Sequence, residues 1–390
     1  MRWGTVGGIA AFALLVPLTV PASSPQPFVP SSDAVVLARI ATSSSGHPPG
    51  SAASLGHPPG STELAAAVEV AAAHLETGRR LGDLRHLGYA RAALKRWWNL
   101  ADPPPEVRRL RARVRAREHD FSGAERDLEA LVEATPGDAS AWLDLALVRR
   151  ARGDIDGARA GCERLAERVP GLVAETCRGA VEALSGAPAR GVRRIRAALR
   201  RTRADATTVA FALGELGDAL ATSGDLEAAA RTHRSALALT PGDDATLTRL
   251  ADAWLALGAH GQVAALLAPY RERDHLLLRL ALAHRALGQH TEAASDRAEL
   301  GQRLDVARRI GRPQPAVEAR YLLDLEGLPA VALTRAREAF GVERTPESVA
   351  LLLRAARAAG VEPPAEVRAW LAATGLRDAR IEPELGGIRQ

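Results

Sequence analysis

The chain has 390 residues and almost no lysine, asparagine or methionine: Lys95, Asn99 and Met1 are the only ones. With a single lysine there is no GxxxxGK[ST] phosphate loop, and neither HExxH nor GxSxG occurs, so the common motifs of nucleotide, zinc-protease and serine-hydrolase chemistry are absent. Cysteine is limited to Cys162 and Cys177, with no Cys-x-x-Cys pair of the kind that redox and zinc sites use. Aromatic residues make up only 4% against 47% hydrophobic residues. A core must therefore be built from Ala, Leu and Val, which suits close-packed helices better than strands. The formal charge of +5 and pI near 9.9 point toward anionic partners. That basicity is discounted, because arginine and alanine in place of lysine and asparagine is a bias of the whole chain, and 46 acidic residues are spread among the basic ones.

Long apolar runs are also missing. The one candidate lies at the start, where residues 1–22 read MRWGTVGGIAAFALLVPLTVPA. Arg2 supplies a positive flank, Pro17 breaks the run, and Val20-Pro21-Ala22 places small residues where a signal peptidase cuts. The run falls short of the roughly 20 apolar residues a membrane span needs. A cleaved secretory signal is expected, giving a periplasmic or secreted protein, with an uncleaved membrane anchor as the alternative. Residues 23–61 are rich in Ser, Pro, Gly and Ala and carry a duplicated GHPPGS, at 46–51 and 56–61. They read as a disordered spacer.

From Thr62 the apolar residues recur at helical spacing. The clearest stretch runs from Phe211 to Asp243. Leu213, Leu216, Gly217 and Leu220 form one face, Gly224-Asp225 makes a turn, and Leu226, Ala229, His233, Ala236 and Leu237 form a second face ending at Pro241. Gly153, Ala158, Leu165 and Pro170 show the same steps of 5, 7 and 5 as Gly224, Ala229, Ala236 and Pro241. Ala124 to Ala158 and Pro136 to Pro170 are both 34 residues apart. This pattern of small residues, turn and closing proline resembles the tetratricopeptide repeat, whose helix–turn–helix unit has that length.

The resemblance implies an all-α fold, a right-handed α-solenoid of about eight or nine repeats over residues 62–376, followed by a C-terminal tail at 377–390. It further implies a concave groove lined by the first helix of each repeat. Carried onto this sequence, the groove positions are Arg109, Arg113, Leu143, Leu147, Gly214, Asp218, Thr248, Asp252, Leu278, Leu282, Val317, Tyr321, Ala350 and Arg354. Relatives that clamp a C-terminal carboxylate use lysine and asparagine at such positions, which this chain does not have. Ala158, Ala229 and Ala236 are expected where helices cross closely, and Trp370 as an aromatic cap.

No residue set indicates a catalytic centre, metal or cofactor. His275, His284 and His290 do not share a helical face. Cys162 and Cys177, 15 residues apart on successive helices, are either a disulfide staple or two buried thiols. Two helices are dense in arginine, at 108–117 and 190–203, and the first has Glu125, Asp127 and Glu129 available as partners. The function expected is a non-enzymatic scaffold that binds protein or peptide in its groove in the bacterial envelope. The alternative is an arginine-rich binder of nucleic acid or another anionic polymer, a reading that export would disfavour.

Overall fold

A computed structural model of the chain describes residues 61–385. The expectations for the export signal and spacer concern residues 1–61; all but Ser61, which begins the first helix, lie outside the described residues, as do residues 386–390. Among the described residues every regular element is helical. Nine helical hairpins follow one another. They pair α1 (Ser61–Leu81) with α2 (Arg85–Ala93), which is followed by a short α3 (Lys95–Trp98), and then α4 (Pro105–Arg117) with α5 (Phe121–Ala134). Next come α6 (Ala139–Ala151) with α7 (Ile155–Arg168), α8 (Leu172–Leu184) with α9 (Pro188–Arg201), and α10 (Ala206–Thr222) with α11 (Leu226–Leu239). The sixth and seventh hairpins are α12 (Asp244–Ala256) with α13 (His260–Leu267), and α14 (Asp274–Ala286) with α15 (His290–Arg309). In the eighth, α16 (Pro315–Arg320) widens into a π-helical turn at Tyr321–Leu325 before α17 (Pro329–Val342). The ninth joins α18 (Pro346–Ala358) to α19 (Ala365–Thr374), and a one-turn α20 (Glu382–Leu385) follows.

Local chemistry explains the punctuation. Helices α5, α6, α7, α10, α11 and α12 each start after an aspartate whose carboxylate accepts from an amide of the first turn, from Asp120 through Asp243. Gly224 turns the chain between α10 and α11 at φ +88°, a conformation that side chains with a Cβ rarely adopt. Ala158, Ala229 and Ala236 are fully buried, as a close crossing between helices requires. In the fourth hairpin the approach is closer still. A Cβ placed on Gly191 would lie 2.2 Å from the Gly179 carbonyl oxygen, so backbone meets backbone between α8 and α9. Between α7 and α8, Cys162 and Cys177 are joined as a disulfide with their Cα atoms 5.5 Å apart.

The array coils tightly enough for successive turns to touch along their edges. Arg79, at the end of α1, pairs with Asp243, in the link before α12. The turn of the third hairpin receives two donors from far along the chain: the Arg344 amide on the Ala151 carbonyl (2.8 Å) and the Trp370 indole on the Gly153 carbonyl (3.1 Å). The Ala379 amide reaches the Thr222 carbonyl (3.1 Å), at the turn of the fifth. Each edge thus meets chain that lies some five hairpins further on.

Two expectations change here. Trp370 does not cap the end of the array against water; it joins one coil to the previous one. Residues 377–385, read as part of a tail, are packed, with Ile381 only 2% exposed. Arg380 bonds both Asp378 and Glu347. Long-range bonds hold this segment, and such bonds leave no periodic trace in sequence.

Candidate inner-face site

The first helices of the hairpins carry a chain of ion pairs that links one repeat to the next. On α4, Arg109 pairs with Asp138, and Arg113 donates to Asp144 of α6 (2.8 Å). Arg150, at the end of α6, passes the fourth hairpin and makes two bonds to Glu215 of α10 (2.6 and 2.9 Å). Asp218, one turn further along α10, faces Arg249 of α12 (3.1 Å). Asp252 of α12 accepts from Arg279 of α14 (2.5 and 3.0 Å) and from Arg320 of α16 (2.6 Å). Arg320 faces Asp324, which accepts from Arg354 of α18 (2.6 Å). The ladder runs through seven of the nine hairpins.

The environment decides how each carboxyl titrates. Burial alone would raise Asp252, but Arg279 and Arg320 outweigh it and hold the group well below the ordinary carboxylate range. Glu215 is likewise held low, because Arg150 overcomes the burial. Asp218 behaves differently: burial raises it to about 6, and Arg249 compensates only in part. Glu343, in the link before α18, is pushed up to about 7 by burial and by the neighbouring Glu347. The ladder nevertheless stays open to water, with the side chains of Asp218 34%, Asp252 33% and Arg354 40% exposed.

Arg109, Arg113, Asp218, Asp252 and Arg354, named from the sequence, all belong to this ladder. Leu143 and Leu147 flank it, half-buried, and Gly214 lies beneath Arg249. The structure corrects the placement of Leu278 and Tyr321. Leu278 is 1% exposed, in a core shared with Leu247, Leu276 and Leu300. Helix α14 is apolar on nearly every side, so period alone does not reveal which face turns inward; Arg279, the next residue, does. Tyr321 packs against α15 near Gly301, and burial together with a bond to Glu326 raises its phenol to about 12. Val317 joins the same core, and Leu282 is buried. Arg320 and Asp324, one turn apart, occupy the inner face instead.

Arg150, Glu215, Arg249, Arg279, Arg320 and Asp324 were not singled out from the sequence. Their signal was a charged residue about one helical turn from a named position, as in Glu215/Asp218 and Arg249/Asp252. The histidines are dispersed: His275 pairs with Asp244 (3.0 Å) and His284 with Asp296 (2.8 Å). Most of the arginines at 108–117 have carboxylate partners, including Arg111 and Arg115 on buried Asp127.

Stacked helix–turn–helix units, with their small-residue crossings and 34-residue spacing, define the fold as a tetratricopeptide-like α-solenoid. Among solved structures the chain is similar to PilW, a widely conserved type IV pilus biogenesis factor, at 20% identity and TM-score 0.41, over 51% of this chain and 93% of that one. It is similar to a thermophilic TPR protein of Thermus thermophilus at 21% identity and TM-score 0.39, over 50% and 99%. A human IFIT1 dimer with PPP-AAAA gives 12% identity and TM-score 0.43, over 78% and 81%. No family model matches the chain, and no curated protein matches it.

Proposed function

We propose that this chain is a non-enzymatic scaffold that holds a protein or peptide partner along its inner face, in the bacterial envelope after export. The observation that carries the reading is the charge ladder. Its donors and acceptors are fixed by their partners on neighbouring repeats, yet a third or more of several of these side chains faces water. A partner segment of mixed charge and polarity can add bonds to such a surface without the cost of ordering it first. A uniformly acidic segment would meet Asp218, Asp252 and Asp324, and a uniformly basic one Arg113, Arg249 and Arg354. Selection for mixed character follows from the alternation.

Export is supported by the pattern of residues 1–22 and by the Cys162–Cys177 disulfide, a bond that persists in oxidising compartments. Among the described residues no helix is long and apolar enough to cross a membrane. N-terminal sequencing of the purified native protein is expected to start near Ser23; a start at Met1 or Arg2 would remove the cleavage.

The binding test is a double substitution of exposed ladder residues, Arg113→Glu with Arg354→Glu. Proteins cross-linked to the wild type in cells should be lost from the variant, which should keep the wild-type helical circular dichroism although its melting temperature falls, because Asp144 loses its partner and Asp324 one of two. An unchanged set of cross-linked proteins would sink the reading.

A further inference from the structure

The arginines of α9 differ from all those of the ladder. Val192, Ile195 and Ala198 bury one side of this helix. The opposite side carries Arg190, Arg193, Arg200 and Arg201, with the small Ala197 between them, and all four arginines are exposed. Of the seven arginines from 190 to 203, only Arg194 has a carboxylate within 4 Å among the described residues, shared between Glu175 and Glu182. Six unpaired guanidinium groups on and just beyond one 14-residue helix repel one another and destabilise the bare surface. Beside them lies an open cleft of about 530 Å³, lined by Arg190, Arg193, Arg194 and Arg201 on one wall and by Gly171 and Glu175 on the other. Gly171 starts α8 without any side-chain cap, as Ala187 starts α9, whereas α7 and α10 are capped by aspartates.

We propose that this face of α9 is a docking site for an acidic protein segment, one with carboxylates on alternate residues of an extended strand. From Arg190 to Arg201 the helix advances about 16 Å at ~1.5 Å per residue. An extended strand covers that distance in about five residues at ~3.3 Å each, and its alternate side chains point the same way. One row of carboxylates can therefore meet successive turns of arginine. Guanidinium suits this task because its planar fork takes a carboxylate through two parallel bonds. No aromatic side chain lines the cleft, so it offers a nucleic acid no surface for stacking bases. This site is separate from the ladder, whose alternating charge would reject the same segment.

The test uses the full-length protein and a fluorescein-labelled (Glu-Gly)4 peptide, followed by anisotropy at low ionic strength and then in rising sodium chloride. Wild type is expected to bind, and to release the peptide as salt rises. Replacing Arg193, Arg200 and Arg201 by glutamine should weaken binding at least about tenfold, since three exposed charge pairs of modest worth are lost together. These side chains are exposed, so the helical circular dichroism should not change. The Arg113→Glu, Arg354→Glu variant should bind the peptide as wild type does, which separates this site from the inner face. Absent binding by wild type, or undiminished binding by the triple variant, overturns the proposal. Tighter binding of an oligothymidylate carrying the same number of charges also overturns it, in favour of a nucleic-acid site.

Discussion

His233 is almost completely buried on α11, its ring lying so close to Gly217 of α10 that a Cβ there would fall 2.4 Å from it. Burial and the nearby Arg249 push its imidazole down to about 3, while Glu215 pulls weakly the other way. Asp218 lies 3.5 Å from its Nε2. The unfolded chain takes up this proton near pH 6.5 and the folded chain only near 3, so the stability it contributes is full above pH 6.5 and lost as pH falls. Asp218 and Glu343 act in the opposite sense: their raised values favour the folded state at low pH, and that contribution is lost as pH rises through about 6 and 7. Partial exposure of both weakens their share. The comparison that isolates the histidine is His233→Phe against wild type. Between about pH 6.5 and 5 the variant should gain on wild type by up to about 2 kcal/mol in urea unfolding. Parallel curves would mean that His233 is protonated in the folded protein.

Glycine gives a second contrast at this scale. Gly191→Ala drives a methyl into the Gly179 carbonyl and should cost about 1–3 kcal/mol. Gly341→Ala, in the last turn of α17 with nothing within 4 Å, should be neutral or stabilise by up to about 1 kcal/mol. Urea midpoints of the two variants check both signs, and equal effects would show that the α8–α9 crossing is looser than described.

At the scale of the element, the hairpins were legible wherever the repeat keeps its markers. Gly153 and Gly224 fixed the turns, and Ala158, Ala229 and Ala236 fixed the crossings, because each such position has room for only one kind of residue. The eighth hairpin keeps the turn glycine and the small residues, at Gly327, Ala332 and Ala339, but has Arg344 where the closing proline falls, and a π turn at Tyr321–Leu325 interrupts its first helix. In α14 the leucines surround the helix and conceal its direction. The charge ladder was half-legible: Asp218 and Asp252 followed from the repeat, whereas their partners Arg249, Arg279 and Arg320 depend on how neighbouring hairpins rotate. Rotation between repeats is a property of packing, with no fixed mark in the sequence of either one.

At the scale of the whole array, stability in a solenoid ordinarily comes from contacts between nearest neighbours alone. Here contacts also recur between hairpins far apart in sequence, so unfolding of the last hairpins should weaken the third and fifth as well. The described C-terminal residues 377–385 belong to this lock. Two backbone amides report on the lock with little interference. Arg344 and Ala379 both lie outside helices, and each donates to a carbonyl more than 150 residues away in sequence, Ala151 and Thr222 respectively. Native-state hydrogen exchange at these two amides is the most direct measurement. Strong protection, with rates close to those of buried amides in α10, is the expected result. Exchange at the rate of an open chain at both positions would show that the coils do not touch, and that the array is an open solenoid with a free end.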